Sequence, residues 1–379
     1  MINVERLCDE FSRLASIASP SLHEGEIAAY LSHRLDDMGA DVVMDDAAAA
    51  IGGEAGNIIA RFPAAGGCEA DEPLLLSAHM DTVMPAKTGR VRLEDGVFRS
   101  DGTCVLGADD KSGIAQIIEA ITAVRAADRP HPPLEVVISV AEEVGLLGAK
   151  HLDCSRLRAR RGLVLDTSGV GVVANRAPCA NKFRFVVHGV EAHAGLNPEQ
   201  GVSAIQIAAS AVANMRLGRV DSETTANIGV INGGVASNII PNMVQLLGEA
   251  RSFDEEKLRR QSEHMRHCLE QAVDKARSAC AGWLRLPRLE IHSDSDYPAL
   301  LVRRDAAVLR RLEQAAAALE LPLAVGDSGG GSDANIFSSR GVEVVNLATG
   351  MQQVHSVDEY IRVEDMAQVC RLVAGFISA

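Results

Sequence analysis

Short apolar runs alternate with helical patterns over much of the chain. One helical pattern, from Ile114 to Val124, lies between two of these runs. Runs of this length, rich in Val, Leu and Ile, are typical of buried strands. Strands that alternate with helices predict an α/β fold with a largely parallel sheet flanked by helices. The strand-like runs are 74–78, 134–141, 163–165 and 342–348.

The middle of the chain follows a different order. Strand-like and helix-like segments succeed one another as β-α-β-β-α-β, which is the order of the ferredoxin-like split unit. This order predicts an inserted domain at 180–295, so that 1–179 and 296–379 form the two parts of one discontinuous outer domain. The six segments are 183–190, 202–215, 225–231, 243–252, 254–279 and 289–292.

Composition argues against several classes of protein. The 379 residues carry a net charge of -14, whereas nucleic acids and anionic membranes are bound by basic surfaces. We therefore expect neither a nucleic-acid nor a membrane partner. The eight cysteines form no Cys-x-x-Cys pair, and the segment 1–13 lacks the apolar stretch of a secretory signal. These features predict a cytoplasmic protein with reduced thiols.

Residues that can bind metal ions stand where the strand-like runs end. His79 and Asp81 follow the first run, and alternation along an extended chain would let Asp81 orient the imidazole of His79. Glu142 and Glu143 follow the second run, so one could bind a metal while the other takes a proton from water. Asp166 follows the third run. In such sheets ligands bind outside the carboxyl ends of the strands, where these side chains stand.

The segment Gly107–Gly113 has two interpretations. Asp109 can cap the N-terminus of the following helix, which is a common arrangement. Alternatively its carboxylate bridges two cations, since the positive end of the helix dipole favours negative charge there. The wider pattern favours the bridge, because each of two metals would then have three protein ligands and an open position, as in catalytic zinc sites. The five predicted ligands are His79, Asp109, Glu143, Asp166 and His355.

These motifs resemble those of the di-zinc exopeptidase family, which contains peptidase T, glutamate carboxypeptidase, acetylornithine deacetylase and aminoacylase. The resemblance covers nearly the whole chain. Residues 107–113 and the approach to His355 through Thr349 and Gly350 are most similar to the peptidase T branch, the tripeptide aminopeptidases. The motifs that carry the resemblance are 77–83, 107–113, 141–145 and Asp166, with further matching stretches at 189–195, 233–241 and 329–333.

The resemblance implies a role for each site residue. Asp109 would join two zinc ions, one held with His79 and Asp166 and the other with Glu143 and His355; cobalt or manganese are possible substitutes. In addition, Glu142 would be the general base that activates a water between the metals, and Asp81 would orient His79. The outer domain would be catalytic, and the inserted domain would be a lid through which two chains form a homodimer.

Three residues of the inserted domain would bind substrate. The resemblance implies that His193 helps to stabilise the tetrahedral oxyanion, in its own chain or across the dimer, and that Asn238 and Arg251 contact the substrate. The guanidinium of Arg251 is suited to gripping a terminal carboxylate with two hydrogen bonds. A salt bridge to Asp254 or Glu255 is the structural alternative for Arg251.

The sequence leaves three functions open. The first is a two-metal hydrolase that cleaves the N-terminal residue from short peptides. The second is an N-acyl amino acid deacylase or carboxypeptidase with the same metal chemistry. The third is a non-catalytic dimeric binding module, against which Glu142 argues, because a binding module needs no base beside a metal ligand.

Overall fold

The computed structural model describes residues 1–280, 283–285 and 287–379. Two compact units are present. Unit 1 consists of residues 1–177 and 300–379, and unit 2 consists of residues 178–299. The outer part of the chain therefore forms one discontinuous unit around an insertion.

Helices and strands alternate through both units. The helices are α1 Val4–Ala15, α2 Gly25–Asp37, α3 Ala47–Ile51, α4 Ala108–Ala126, α5 Leu147–His151, α6 Ala204–Asn214, α7 Glu255–Ala279, α8 Ala307–Ala317, α9 Asp333–Ser339 and α10 Val363–Ser378. The strands are β1 Asp41–Met44, β2 Ile58–Phe62, β3 Leu74–His79, β4 Arg92–Glu94, β5 Val97–Arg99, β6 Leu134–Ser139, β7 Arg161–Thr167, β8 Val172–Ala177, β9 Cys179–His188, β10 Ala192–His193, β11 Gly218–Arg219, β12 Thr224–Gly233, β13 Ile239–Ile240, β14 Met243–Ser252, β15 Arg288–Tyr297, β16 Leu300–Leu301, β17 Ala324–Asp327, β18 Glu343–Ala348 and β19 Tyr360–Arg362.

The large sheet of unit 1 has a parallel centre. Its strands lie in the order β1-β2-β6-β3-β7-β18-β8-β16, with β17 also paired to β8. The neighbours β6, β3, β7 and β18 run parallel to one another. On the two sides of this centre β2 and β8 run antiparallel to it, and β1 and β16 pair antiparallel with β2 and β8. Every residue of β3 and β6 is buried, as expected for strands covered on both faces. The predicted α/β class with a largely parallel sheet is confirmed.

Helix α4 is the central helix of unit 1. It contacts β3 and β7 of the sheet on one side and the helices α1 and α10 on others. Sixteen of its nineteen residues are buried, so it is covered nearly all round rather than along one stripe. Such complete burial fixes the position of its first turn, which carries Asp109.

Unit 2 is built around an antiparallel sheet. Its strands lie in the order β11-β12-β14-β9-β15, and every neighbouring pair is antiparallel. The helices α6 and α7 pack on this sheet, over a core that includes Phe185, Leu246 and Leu269. The succession of long elements is β-α-β-β-α-β, so the predicted ferredoxin-like insertion is confirmed as a fold.

The ends of the insertion differ from the predicted ones by a few residues. The predicted limits at 180 and 295 fall inside β9 and β15, and the unit begins at 178 and ends at 299. Because β15 has polar residues at its ends, hydrophobic patterning predicts a shorter strand than the one observed. None of the helices within the described residues is long and apolar enough to cross a bilayer.

Close contact between β3 and β7 gives a first prediction. A Cβ atom at Gly162 of β7 would lie 2.0 Å from the carbonyl oxygen of Leu75, with which Gly162 is paired. We expect Gly162→Ala to lower the free energy of unfolding by about 1–3 kcal/mol, because the central strands must separate. The shift in the midpoint of urea unfolding measures this loss.

A matched control is available on another strand of unit 1. A Cβ atom at Gly326 of β17 would meet no atom within 4 Å. We therefore expect Gly326→Ala to change the stability by no more than about 0.5 kcal/mol. Equal effects of the two substitutions would contradict the close approach at Gly162.

Candidate metal centre

The parallel strands bring predicted site residues to one edge of the unit 1 sheet. β3 ends at His79, and β7 carries Asp166 near its end. β6, which is the other neighbour of β3, leads into Glu142 and Glu143. The carboxyl ends of parallel strands share an edge, and Asp109 reaches the same place from the first turn of α4.

Asp109 lies between two imidazoles. Its Oδ1 is 3.1 Å from Nε2 of His79, and its Oδ2 is 3.2 Å from Nε2 of His355. The same nitrogen of His355 lies 3.0 Å from Oε2 of Glu143, and Nε2 of His79 lies 3.8 Å from Oδ1 of Asp166. The structure thus brings all five predicted ligands together, in two groups that share Asp109.

The spacing of these atoms fits divalent metal ions. Two ligand atoms of a tetrahedral zinc ion lie about 3.3 Å apart when the bonds are about 2.0–2.1 Å long. The ligand atoms of His79, Asp109 and Glu143 all lie within 4.8 Å of one another. Within the described residues, Oε1 of Glu143 is buried without a hydrogen-bond partner, as a ligand atom would be before a metal binds.

The crowding of carboxyl groups in the cluster also favours the binding of cations. Burial raises the pKa of Glu142, Asp110 and Asp166 well above the usual carboxyl value, and neighbouring carboxylates raise it further. Asp109 behaves differently: burial opposes its ionisation, but hydrogen bonds from His355 and His79 hold its pKa well below the usual value. A divalent cation would favour the ionised form of each carboxylate around it.

The two imidazoles are held in the protonated form by these carboxylates. Burial lowers the pKa of His79, but hydrogen bonds with Asp109 and Asp81 outweigh burial and keep it well above the ordinary value. Hydrogen bonds with Asp109 and Glu143 raise the pKa of His355 to about 10. A metal ligand must be a neutral imidazole, so a bound metal and these protons exclude each other.

Asp81 was predicted to orient the imidazole of His79, and it also holds other groups of the site. Nδ1 of His79 lies 2.9 Å from the backbone oxygen of Asp81 and 3.4 Å from its carboxylate. The carboxylate itself accepts the backbone N–H groups of Glu142 at 2.9 Å and Glu143 at 3.2 Å, and the hydroxyl of Ser21 at 2.7 Å. Asp81 therefore positions the predicted base and a predicted ligand through their backbone.

Two further residues of the site were not predicted. Asp110 accepts the backbone N–H of His79 at 3.2 Å, and with His79 and Asp166 it forms a second group of donors that could hold a metal. In the sequence, the position of Asp110 directly after the predicted ligand Asp109 could have indicated that it belongs to the site. Asn346 of β18 accepts the N–H of Asp166 at 2.9 Å and donates to its carbonyl at 2.7 Å, for which the sequence has no local signal.

The three predicted substrate-binding residues lie in unit 2. His193 is exposed on β10, and its Nδ1 accepts the N–H groups of Gly195 and Leu196, each at 3.1 Å. A neutral imidazole that accepts at Nδ1 carries its proton on Nε2, where it can donate outward. Asn238 accepts the N–H of Ala194 through its backbone carbonyl at 2.9 Å, which ties its loop to that of His193.

Arg251 stands near the end of β14 with its side chain partly exposed. It forms an ion pair with Glu249 at 3.0 Å, two residues earlier on the same face of the strand. The sequence offered a salt bridge to Asp254 or Glu255 as the structural alternative, and the pair with Glu249 was not predicted. A half-exposed pair of this kind contributes little to stability.

Comparison with known proteins agrees with this geometry. The model of peptidase family M20/M25/M40 matches residues 75–379. The chain belongs to this family. A Bacillus subtilis protein named uncharacterized protein YqjE is 39% identical over 378 residues, which cover 100% of this chain and 99% of that protein.

Two solved structures are similar over the full length. The aminopeptidase PepT of Bacillus cereus is 39% identical with a TM-score of 0.90, covering 100% of this chain and 98% of the other. A Staphylococcus aureus tripeptidase is 34% identical with a TM-score of 0.93, again covering 100% and 98%. The predictions of a metallopeptidase and of the peptidase T branch are confirmed.

The protonated imidazoles give a prediction for metal binding by this M20 peptidase. Because the pKa of His355 is raised to about 10, the imidazole of the metal-free protein holds its proton at about pH 8 and must release it to a metal. We expect Co²⁺ binding at about pH 8 to release at least about one proton per chain, and the release to fade as the pH passes 10. Calorimetric titration in two buffers of different ionisation enthalpy counts these protons.

His355→Ala is the matched variant for this measurement. It should bind fewer metal ions and release fewer protons for each chain, since one titrating ligand is removed. Co²⁺ binding to the unaltered protein without any proton release would contradict the assignment of His355 as a ligand.

Proposed function

We propose that this enzyme binds two divalent metal ions, in nature zinc, and removes the N-terminal residue from short peptides, above all tripeptides. The observation that carries the proposal is the position of Asp109, whose two carboxylate oxygens face two different histidines at 3.1 and 3.2 Å. One shared carboxylate between two groups of ligands is what a two-metal hydrolase needs. Nitrogen and oxygen ligands suit zinc, and cobalt or manganese can replace it.

Glu142 is the general base in this proposal. Bound metal ions would lower the pKa of a water and polarise the carbonyl of the scissile amide. Glu142 then accepts a proton from the attacking water and passes it to the nitrogen of the leaving amine. Burial and the charge of Asp166 raise the pKa of its carboxyl group, and divalent cations beside it would favour the ionised form that a base needs. Asp81 holds the backbone of Glu142 in place.

The residues of unit 2 are assigned to the substrate. In this proposal His193 donates from Nε2 to the oxyanion, which is consistent with an Nδ1 that already accepts two backbone N–H groups. Arg251 and Asn238 bind the carboxyl-terminal part of the peptide. The guanidinium would exchange its pairing with Glu249 for the terminal carboxylate of the substrate.

The choice of substrate is supported by the named relatives. The two structures that match over the full length are described as an aminopeptidase and a tripeptidase, at 39% and 34% identity. Deacylases and carboxypeptidases with the same metal chemistry remain the alternative, because the metal-binding residues do not distinguish them. The distinction lies in which end of the substrate is recognised.

We also propose that the enzyme is a cytoplasmic homodimer formed through unit 2. β15 lies at one edge of the unit 2 sheet, and an edge strand presents backbone groups that can pair with another chain. Unit 2 also exposes apolar side chains at Val230, Ile231 and Val235, as interfaces often do. All eight cysteines are free thiols, which suits a reducing compartment.

The role of Glu142 is tested by Glu142→Gln. We expect the variant to fold and to bind metal as before but to lose about 10²–10⁴-fold in turnover, because the amide cannot accept the proton. Steady-state kinetics and elemental analysis of the same preparations measure both quantities. Glu364→Gln, at an exposed position on α10, is the control and should leave both unchanged. A parallel loss of bound metal would show instead that Glu142 is a ligand.

The reaction itself is tested by product analysis. A tripeptide of three different residues, with free amino and carboxyl ends, should release its N-terminal residue first, as followed by mass spectrometry. N-acetylated amino acids should be poor substrates. Release of the C-terminal residue first, or activity on N-acylated amino acids alone, would place this enzyme among the carboxypeptidases or deacylases of the family.

A further inference from the structure

The first turn of α4 has no cap of its own. Its N-cap residue is Gly107, which has a φ of 76°, and Asp109 and Asp110 have non-helical backbone angles. Gly107 offers no side chain to the first backbone N–H groups of this irregular turn. These N–H groups have no partner within a helix and are buried here, so they need an acceptor. Asp109 is of the residue type that commonly provides one, but its two oxygens face His79 and His355 instead.

The missing cap comes from Glu359, 250 residues further along the chain. Its Oε2 accepts the N–H of Gly107 at 2.7 Å, and its Oε1 accepts the N–H of Asp109 at 2.9 Å. The side chain is almost completely buried, and burial raises the pKa of its carboxyl group to about 7. The positive charge of the buried Lys111 acts in the opposite direction. Both oxygens of the carboxylate are thus committed to the backbone of the segment that carries Asp109.

Glu359 also shares a loop with a predicted metal ligand. It follows His355 by four residues, and Nε2 of His355 lies 3.2 Å from Oδ2 of Asp109. The loop therefore contacts Asp109 twice, through the imidazole at its carboxylate and through Glu359 at its backbone. Moving either contact would displace the shared carboxylate relative to His355.

We propose that Glu359 is a positioning residue that caps α4 from a distance and so keeps the carboxylate of Asp109 available to bridge two metal ions. The inference rests on the proposed two-metal function, which it deepens. Without Glu359, the uncapped N–H groups of Gly107 and Asp109 would attract another acceptor, and the carboxylate of Asp109 lies in the same segment. The affinity for the metal ion held by Asp109, Glu143 and His355 then falls most, because His355 and Glu359 share one loop.

The test is a Co²⁺ titration of metal-stripped Glu359→Gln, followed by calorimetry and by visible absorption. Glutamine keeps the size of the side chain but has one acceptor oxygen, so one N–H would face an amide N–H₂ group. We expect the weaker of the two Co²⁺ dissociation constants to rise about 10- to 100-fold, which is typical when the partner of a metal ligand is removed. Asp358→Asn, at the exposed neighbouring position, should leave both constants unchanged.

Two further measurements separate positioning from a purely structural cap. A structural cap would lower the urea midpoint equally in the metal-free and metal-loaded protein, whereas a positioning role lowers it more in the loaded protein, because less binding energy is available. Glu359→Asp keeps both oxygens on a shorter side chain and should bind Co²⁺ better than Glu359→Gln. Unchanged Co²⁺ constants in a folded Glu359→Gln protein, or no advantage of Asp over Gln, would overturn the inference.

Failure of this inference can be distinguished from failure of the proposed function. Fewer than two Co²⁺ ions bound to the unaltered protein would overturn the two-metal proposal and the role of Glu359 with it. If the unaltered protein and Glu359→Gln both bind two Co²⁺ ions, with the same two dissociation constants, the proposed function would stand. Only the positioning role of Glu359 would then be contradicted.

Discussion

Like charges crowd together at the buried end of the unit 1 sheet, and positive charge is required to keep them there. Asp81, Asp109, Asp110 and Glu142 are each at most 8% exposed, so water cannot stabilise their charges. The position of Asp109 between two imidazoles meets this requirement in part. Divalent ions meet it more fully, since each carries two charges and has no proton to lose. The rest of unit 1 holds these ligands against their mutual repulsion.

The parallel centre of the sheet makes such a cluster possible. Because β6, β3, β7 and β18 run in the same direction, each delivers its following residues to the same edge. Buried carboxylates and amides then fix the backbone around the ligands. Asp81 does this for the segment at 142–143, Asn346 for Asp166 and Glu359 for Asp109. These three polar side chains therefore fix the backbone that carries the predicted base and ligands.

Much of this centre could be predicted from the sequence, because its ligands sit directly after apolar strands. His79 and Asp166 stand at strand ends that hydrophobic patterning locates well. The residues that hold the ligands in place were missed for a physical reason. Glu359 and Asn346 act through backbone groups 250 and 180 residues away, and no local pattern records such a partner. The pair of Arg251 with Glu249 was likewise not predicted.

The discontinuity of unit 1 has a consequence for the newly made protein. β18 lies between β7 and β8 in the sheet, yet it is synthesised after the whole of unit 2. Until residues 300–379 leave the ribosome, β7 lacks one neighbour and the cluster lacks both His355 and Glu359. A nascent chain can therefore fold unit 2 while its hydrolytic centre is still incomplete. Assembly of the metal centre therefore has to wait for the segment that carries His355 and Glu359.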